Sequence, residues 1–340
     1  MRLENILALI HGELINSPYV SEFNNIVFEL KDVKRGDLFV AYDENTIDEA
    51  ILNGAYGIIF NKPTQISDTE IAWIKVQDLD DSLKRLLRFK LIDKNITVYQ
   101  TNEIILKLAL QVLTETSFFA LEDDIKSIFS KLEDIQDGGV VLFCAEMLSP
   151  EIFTEVKALP NNVVEHIEII EQTLFESSFI YDNIFYERQL ISPFFIPYLE
   201  QLLHLFKSLK INFRLRKFTP IEHFEAVFTN KNFEIKEFGT SDKVLIFEKS
   251  ESFIKSEIEY LSKQAYWARI LYILPESKFQ TLEQEFIQTN NIVTYKNKNE
   301  IKTLLKQHSF HFALIIGVDK SILSEPIHHL SAPTSLFDFA

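Results

Sequence analysis

From residue 244 to residue 318 the chain alternates between short apolar runs and amphipathic stretches. The runs at 244–247, 270–274, 292–295 and 312–318 are too short for helices and rich in Val, Ile, Leu and Phe, so they read as strands buried on both faces. Between them, 252–263, 278–287 and 300–307 carry apolar residues at helical spacing. Strands joined through helices pair in parallel. The segment therefore predicts a Rossmann-like parallel sheet with helices on both faces.

Two further α/β stretches precede it. Leu3, Ile6, Leu7 and Ile10 fall on one helical face, with Gly12 just beyond as the stop. Val33-Lys34-Arg35-Gly36-Asp37 reads as a turn feeding a strand at 38–41, followed by a helix over 47–53 that Gly54 ends. Strands at 56–60 and 71–76 and a helix over 80–90 complete this stretch. The next opens with a strand at 96–99 and a helix over 102–113. A strand at 140–145 then leads to a helix start, with Ser149 as N-cap, Pro150 in the first position and Glu151 against the positive end of the dipole. The Phe- and Tyr-rich segment 175–195 reads as core packing, and a helix is expected over 197–209.

The net charge of −16, from 34 basic and 50 acidic residues, argues against nucleic acid and anionic lipid as partners, since both select basic surfaces. The densest basic group, Lys84, Arg85, Arg88 and Lys90, reads as a solvated helix face. The one cysteine, Cys144, lies in the apolar run Val140-Val141-Leu142-Phe143-Cys144-Ala145 and reads as a buried, inert thiol suited to a reducing compartment. The N-terminal stretch carries Glu4 and Glu13 and lacks a secretory pattern, and no apolar run reaches membrane-spanning length, so a cytoplasmic protein without a membrane span is expected.

Glycine is the scarce residue: there are eight, none between Gly57 and Gly138, and no pair has the G-x-G spacing. Loops that wrap phosphates need glycine to reach positive φ and let the backbone approach the ligand, so both the Walker-type loop and the dinucleotide fingerprint are absent. Other chemistry is equally thin. His308 and His311, and the adjacent His328 and His329, have no cysteine or H-E-x-x-H companion, so no metal is expected. No G-x-S-x-G elbow is present, and the carboxylate pairs Asp80-Asp81 and Asp123-Asp124 stand beside helix starts, where they suit the dipole.

The segment Val33-Lys34-Arg35-Gly36-Asp37-Leu38-Phe39-Val40-Ala41, followed by Asn53-Gly54-Ala55, resembles the V-x-x-G-D-L-F-V-A signature of the Mur ligases. These enzymes build bacterial peptidoglycan precursors by ATP-dependent amide formation, and the likeness is nearest to the D-alanyl-D-alanine-adding type. It implies three Mur-ligase-like domains: an N-terminal one of the uridine-nucleotide-binding type over 1–92, a reduced central ATPase-like one over 93–225, and a C-terminal Rossmann-type one over 226–325. A tail over 326–340 would follow, ending Leu336-Phe337-Asp338-Phe339 and either loose or docking a partner.

On the same resemblance, Gln100-Thr101-Asn102-Glu103-Ile104-Ile105 occupies the place of the family's G-T-x-G-K-T loop. At Gln100, Glu103, Ile104 and Ile105 the glycines, the lysine and the last threonine are gone. With them go the phosphate cradle, its cation and the magnesium hydroxyl, and Glu103 sets a negative charge where phosphate would lie. Ala145-Glu146-Met147 resembles the stretch holding a magnesium-binding glutamate, which makes Glu146 a vestigial metal position. The uridine end is altered too. Glu29-Leu30-Lys31 stands for D-S-R, no D-G-H follows Ala41, and Lys31, Ala41 and Asp43 are the substrate-side positions left. The family's arginine before the third domain is replaced at about His223 or Phe224, and Leu245-Ile246-Phe247-Glu248-Lys249 resembles a strand whose substrate loop is not preserved.

The resemblance implies a non-catalytic homologue that binds a UDP-linked cell-wall precursor or a cell-wall enzyme, without the family's ATP and magnesium. One alternative is an active ligase whose nucleotide site is rebuilt from Lys249, Lys94 and Glu146. Another is an interaction protein unrelated to the cell wall.

Overall fold

The computed structural model describes residues 1–122, 124–133, 135–144, 148, 150–237, 240–279 and 291–323. They form an α/β protein of four sheets in two units, Met1–Asn162 with Leu205–Arg214, and Val163–His204 with Leu215–Ala340.

The first unit opens with α1 (Leu3–Ile10), which buries Leu3, Ile6 and Ile10. Its left-handed closing residue is His11 (φ 51°), whose N–H bonds the Leu7 carbonyl, and not the expected Gly12. Five strands follow: β1 (Glu13–Leu14), β2 (Ile26–Val27), β3 (Leu38–Val40), β4 (Gly57–Phe60) and β5 (Ala72–Lys75). Their order is β1-β5-β4-β3-β2, parallel from β2 to β5 with β1 antiparallel on the edge. Helices α2 (Ile47–Leu52) and α3 (Leu79–Leu91) lie between strands or after them. The two-residue period of β3 divides the core. Leu38 and Val40 join the side chains of α1 and α3, while Phe39 joins Ile47 and Ala50 of α2.

The second sheet of this unit has the order β7-β8-β6-β9 and is wholly parallel: β6 (Thr97–Thr101), β7 (Phe118–Leu121), β8 (Val140–Cys144) and β9 (Lys157–Ala158). Helix α4 (Glu103–Val112) follows β6, and α5 (Ile125–Leu132) follows β7. Strand β7 and α5 were not legible as elements. Ile128 and Phe129 of α5 enter the same core as Leu83, Leu86 and Leu87 of α3, so one hydrophobic core serves both sheets. Cys144 is buried, as expected. The expected helix after residue 149 is, among the described residues, a three-residue 3-10 turn, Pro150–Ile152; Ser149, Asp123 and 145–147, which include Glu146, lie outside those residues.

In the second unit, the aromatic segment buries Phe179, Tyr181, Phe194 and Phe195, as core packing requires, and most of it is a sheet. Strands β10 (Glu168–Gln172), β11 (Ser177–Tyr181) and β12 (Ile184–Gln189) form an antiparallel three-stranded sheet. Asp182 and Asn183 close its hairpin with φ of 50° and 61°, the pair of positive values a two-residue hairpin turn requires. Phe179 is buried and Phe185 lies at the surface, as strand alternation demands. Helix α6 (Ile196–Leu209) follows, and the division between the units falls within it.

The remaining sheet has the order β13-β14-β17-β15-β16. Strands β14 (Lys243–Glu248), β15 (Ile270–Pro275), β16 (Ile292–Tyr295) and β17 (Phe312–Ile316) are parallel, and β13 (Glu225–Thr229) is antiparallel on the edge beside β14. Helices α7 (Ile254–Gln264), α8 (Glu276–Phe279) and α9 (Ile301–Gln307) occupy the crossovers. The expected helix over 278–287 is described only to Phe279. Among the described residues, no helix is long and apolar enough to cross a membrane.

Candidate functional site

The signature turn is built by Asp37, which is 1% exposed. One carboxylate oxygen accepts the backbone N–H (3.1 Å) and side-chain amide (3.0 Å) of Asn25, and the other accepts the Lys34 N–H (2.9 Å). Gly36 takes φ 93°, and a Cβ there would lie 2.5 Å from the Asn24 amide. Its N–H reaches the Gly54 carbonyl (3.1 Å), and Gly54 (φ 105°) passes so close that a Cβ would sit 3.0 Å from the Arg35 backbone. The glycine–aspartate pair and the later Asn53-Gly54-Ala55 are thus two sides of one tight backbone crossing, which needs residues without Cβ at both contacts. These residues launch β3.

Beyond β3 lie the substrate-side positions. Ala41 is buried, and its N–H is held in the sheet by the Ile59 carbonyl (2.9 Å). Asp43 caps the following 3-10 turn, accepting the Asn45 N–H at 3.0 Å and its side-chain amide at 2.8 Å. Lys31 is exposed in the 3-10 turn Leu30–Asp32. The structure adds Tyr42, missed in the sequence, whose hydroxyl donates to Asp80 at 2.7 Å. Burial first, then that hydrogen bond and the charges of Asp80, Asp124 and Asp78, push the Tyr42 phenol far above its ordinary range. The Lys126 ammonium stands 5.9 Å from the Tyr42 ring and pairs with Glu29. Carboxylates therefore outnumber cations at this edge.

The stretch 100–105 is not a loop. Gln100 and Thr101 are strand residues, paired with Phe143 and Cys144 of β8, and Gln100 also with Ala158 of β9. Glu103 already begins α4, so Asn102 alone joins strand to helix. The Asn102 side chain accepts the Ile105 N–H at 2.9 Å, which closes one of the donors a helix N-terminus would turn toward an anion. Ile104 and Ile105 are 0% and 1% exposed and belong to the packing under the sheet. Further along α4, Lys107 is engaged by Glu122 at 2.9 Å. Lys94 stands before β6, at the other end of that strand, some ~15 Å or more from Asn102 at about 3.3 Å per strand residue. It is therefore out of reach of the junction. Lys249, in the second unit, pairs with Glu222 at 2.8 Å.

Of the basic group on α3, Arg85 and Arg88 are exposed as expected, whereas Lys84 and Lys90 are half-buried. Arg85 pairs with Asp81 at 2.9 Å, Arg88 donates to the Glu151 carbonyl at 2.7 Å, and Lys90 pairs with Glu133. Asp80 and Asp81 lie in the first turn of that helix, and Asp124 caps α5 through the Ser127 N–H at 2.9 Å. His308 bonds the Leu304 carbonyl (2.9 Å) and His311 accepts the Arg269 N–H (3.1 Å); His328 and His329 lie outside the described residues.

The second unit holds a cluster that sequence reasoning missed. Glu248, the last residue of β14, is 0% exposed and faces His223 Nδ1 at 2.8 Å; it also accepts the N–H groups of Phe224 (3.0 Å) and Ser250 (2.7 Å). Glu257 of α7 is 0% exposed beside it. Burial first, then the charge of Glu248 and a hydrogen bond between the two carboxyls, raise the Glu257 acid well above the usual carboxylate range. Drawn as an anion, neither Glu257 oxygen has a partner. Protonated, it donates to Glu248. A signal was present: Glu257 occupies an apolar position of α7, on the face of Ile254, Ile258 and Leu261. Glu248 ties the 223–224 segment, the 250–253 turn and α7 to the C-terminal end of β14, but the cluster is sealed from solvent and offers no access to a substrate.

No family model matches the chain, and no curated protein does. Among solved structures it is similar to MurF from Acinetobacter baumannii, at a TM-score of 0.48 and 10% identity over 93% of this chain and 95% of that one. It is also similar to the MurF ligase of Thermotoga maritima in complex with ADP, at 0.45 and 14% over 88% and 95%. A third similarity is to the UDP-N-acetylmuramate-alanine ligase MurC from Thermotoga maritima, at 0.35 and 11% over 85% and 91%.

Proposed function

We propose that the chain is a Mur-ligase-like protein that does not turn over ATP and that serves peptidoglycan precursor synthesis by binding a precursor or a cell-wall enzyme. The observation that carries the reading is the one-residue junction at Asn102. A triphosphate needs a loop of open N–H donors with a cation and a magnesium ligand nearby. At this junction, strand pairing runs through Thr101, Asn102 occupies a helix donor, Glu103 is acidic, and Ile104 and Ile105 are committed to the core. Strand, turn and helix remain, and the chemistry of phosphate binding does not.

Lys31, Ala41 and Asp43 mark where a uridine-linked precursor would lie. The carboxylates of Asp43, Asp78, Asp80 and Asp124 oppose a diphosphate there, so its affinity is expected to be weak and a protein partner to bind more tightly. Calorimetry of the full chain with ATP and magnesium, and incorporation of labelled D-alanyl-D-alanine into precursor, test the reading. No heat of binding and no incorporation are expected. A nucleotide dissociation constant below about 100 μM, with amide formation, would restore the rebuilt-site alternative.

A further inference from the structure

A cavity of about 450 Å³ in the second unit lies apart from every position considered above. Phe175, Phe228, Trp267 and Phe312 line it, with Gln172 and Gln264 at its mouth. Its rings stand edge to face: Phe175 on Phe228 at 5.9 Å and 88°, Trp267 on Phe312 at 5.9 Å and 77°. That arrangement leaves ring faces and edges, not a filled core, against the space. Trp267 is 65% exposed, a large apolar surface left in water that a ligand would cover.

Charge and hydrogen bonding narrow the ligand. None of the described residues lining the cavity is ionisable, so a charged ligand would lose hydration there and gain no counter-charge. The two glutamine amides meet at only 3.5 Å, the outer limit of a hydrogen bond, so each retains donor and acceptor capacity. The volume falls in the range of small-molecule sites, which combine aromatic walls with a few placed polar groups.

We propose that this cavity binds a neutral, flat aromatic molecule carrying an amide-like donor–acceptor edge, with the ring among Phe175, Phe228, Trp267 and Phe312 and the edge on Gln172 and Gln264. The inference does not depend on the reading of the Asn102 junction.

Three probes of one ring size separate the terms: 2-naphthamide, 2-naphthoate and naphthalene, each titrated calorimetrically into the full chain. Naphthamide is expected to bind at one site, at least about tenfold more tightly than naphthoate, since an unpaired charge has no partner in the cavity. Gln172→Leu with Gln264→Leu should bring naphthamide down to the affinity of naphthalene. Trp267→Ala, at an exposed position that leaves the fold intact, should weaken both. Absence of saturable naphthamide binding would overturn the proposal, as would equal binding of the carboxylate or indifference to Trp267→Ala.

Discussion

The turn at 33–37, which feeds β3, and the junction at Asn102, which follows β6, are both tight connections, yet they are built from different materials. At the turn, Gly36 and Asp37 are needed by the fold itself: one supplies a φ of 93°, and the buried carboxylate of the other accepts from three donors. At the junction, Gln100 extends the strand, Glu103 starts the helix, and Ile104 and Ile105 fill the core.

The sharpest way to break this contrast is at Asp37. Asp37→Ala strands the N–H groups of Asn25 and Lys34 and should destabilise the first unit by about 3 kcal/mol, with Asp37→Asn costing about half as much. Urea unfolding followed by Trp73 emission in a Trp267→Phe background reads this unit alone, because Trp73 is fully buried in it. A loss below about 0.5 kcal/mol would mean that the turn does not need its aspartate.

Glu257 sharpens the comparison from the other side, as a buried carboxyl whose oxygens lack the donors that Asp37 has. Its folded pKa is raised by burial and by Glu248, so its contribution is fully present below its ordinary value of 4.5 and is lost as pH rises through the elevated one. The second unit should be more stable near pH 5 than near pH 8. Glu257→Gln, which keeps a donor toward Glu248, should stabilise it by about 1–2 kcal/mol at pH 8 and flatten that dependence. The check is hydrogen exchange of β14 and α7 at the two pH values; an unchanged difference in the variant would assign the pH effect elsewhere.

At the junction, Asn102→Ala removes only a cap and should cost about 1 kcal/mol, measured by the same Trp73-monitored unfolding, with no nucleotide binding gained. The smallest effect is expected at the exposed Arg85, where Arg85→Ala removes an i, i+4 pair and should change stability by about 0.3–0.5 kcal/mol in low salt and less in high salt.

Much of the architecture could be read in advance because periodicity survives without any knowledge of partners. Apolar runs of four to seven residues alternating with helical spacing placed β14 to β17, and Asp78 to Leu91 and Asn102 to Val112 behaved as capped amphipathic helices. What escaped was set by weaker signals. Strand β7 and α5 lie where short apolar runs are ambiguous between strand and helix. The β10–β12 sheet hid because its aromatic residues suit a core as well as a strand, and its turn, Asp182-Asn183, lacks the glycine that announces most such hairpins. At 100–105, sequence ended the strand at Tyr99 and began the helix at 102; strand pairing with β8 and β9 carries the strand on through Gln100 and Thr101.

The order of amino acids by itself determined the alternation of strands and helices and the absence of any G-x-G spacing, because each depends on neighbours within a few residues. Tertiary structure alone decided that Glu248, Glu257 and His223 meet in the buried interior, that carboxylates gather around Tyr42, and that four aromatic rings leave a cavity open. Those are meetings of residues distant in sequence, and burial and charge act through space, so no local pattern could announce them.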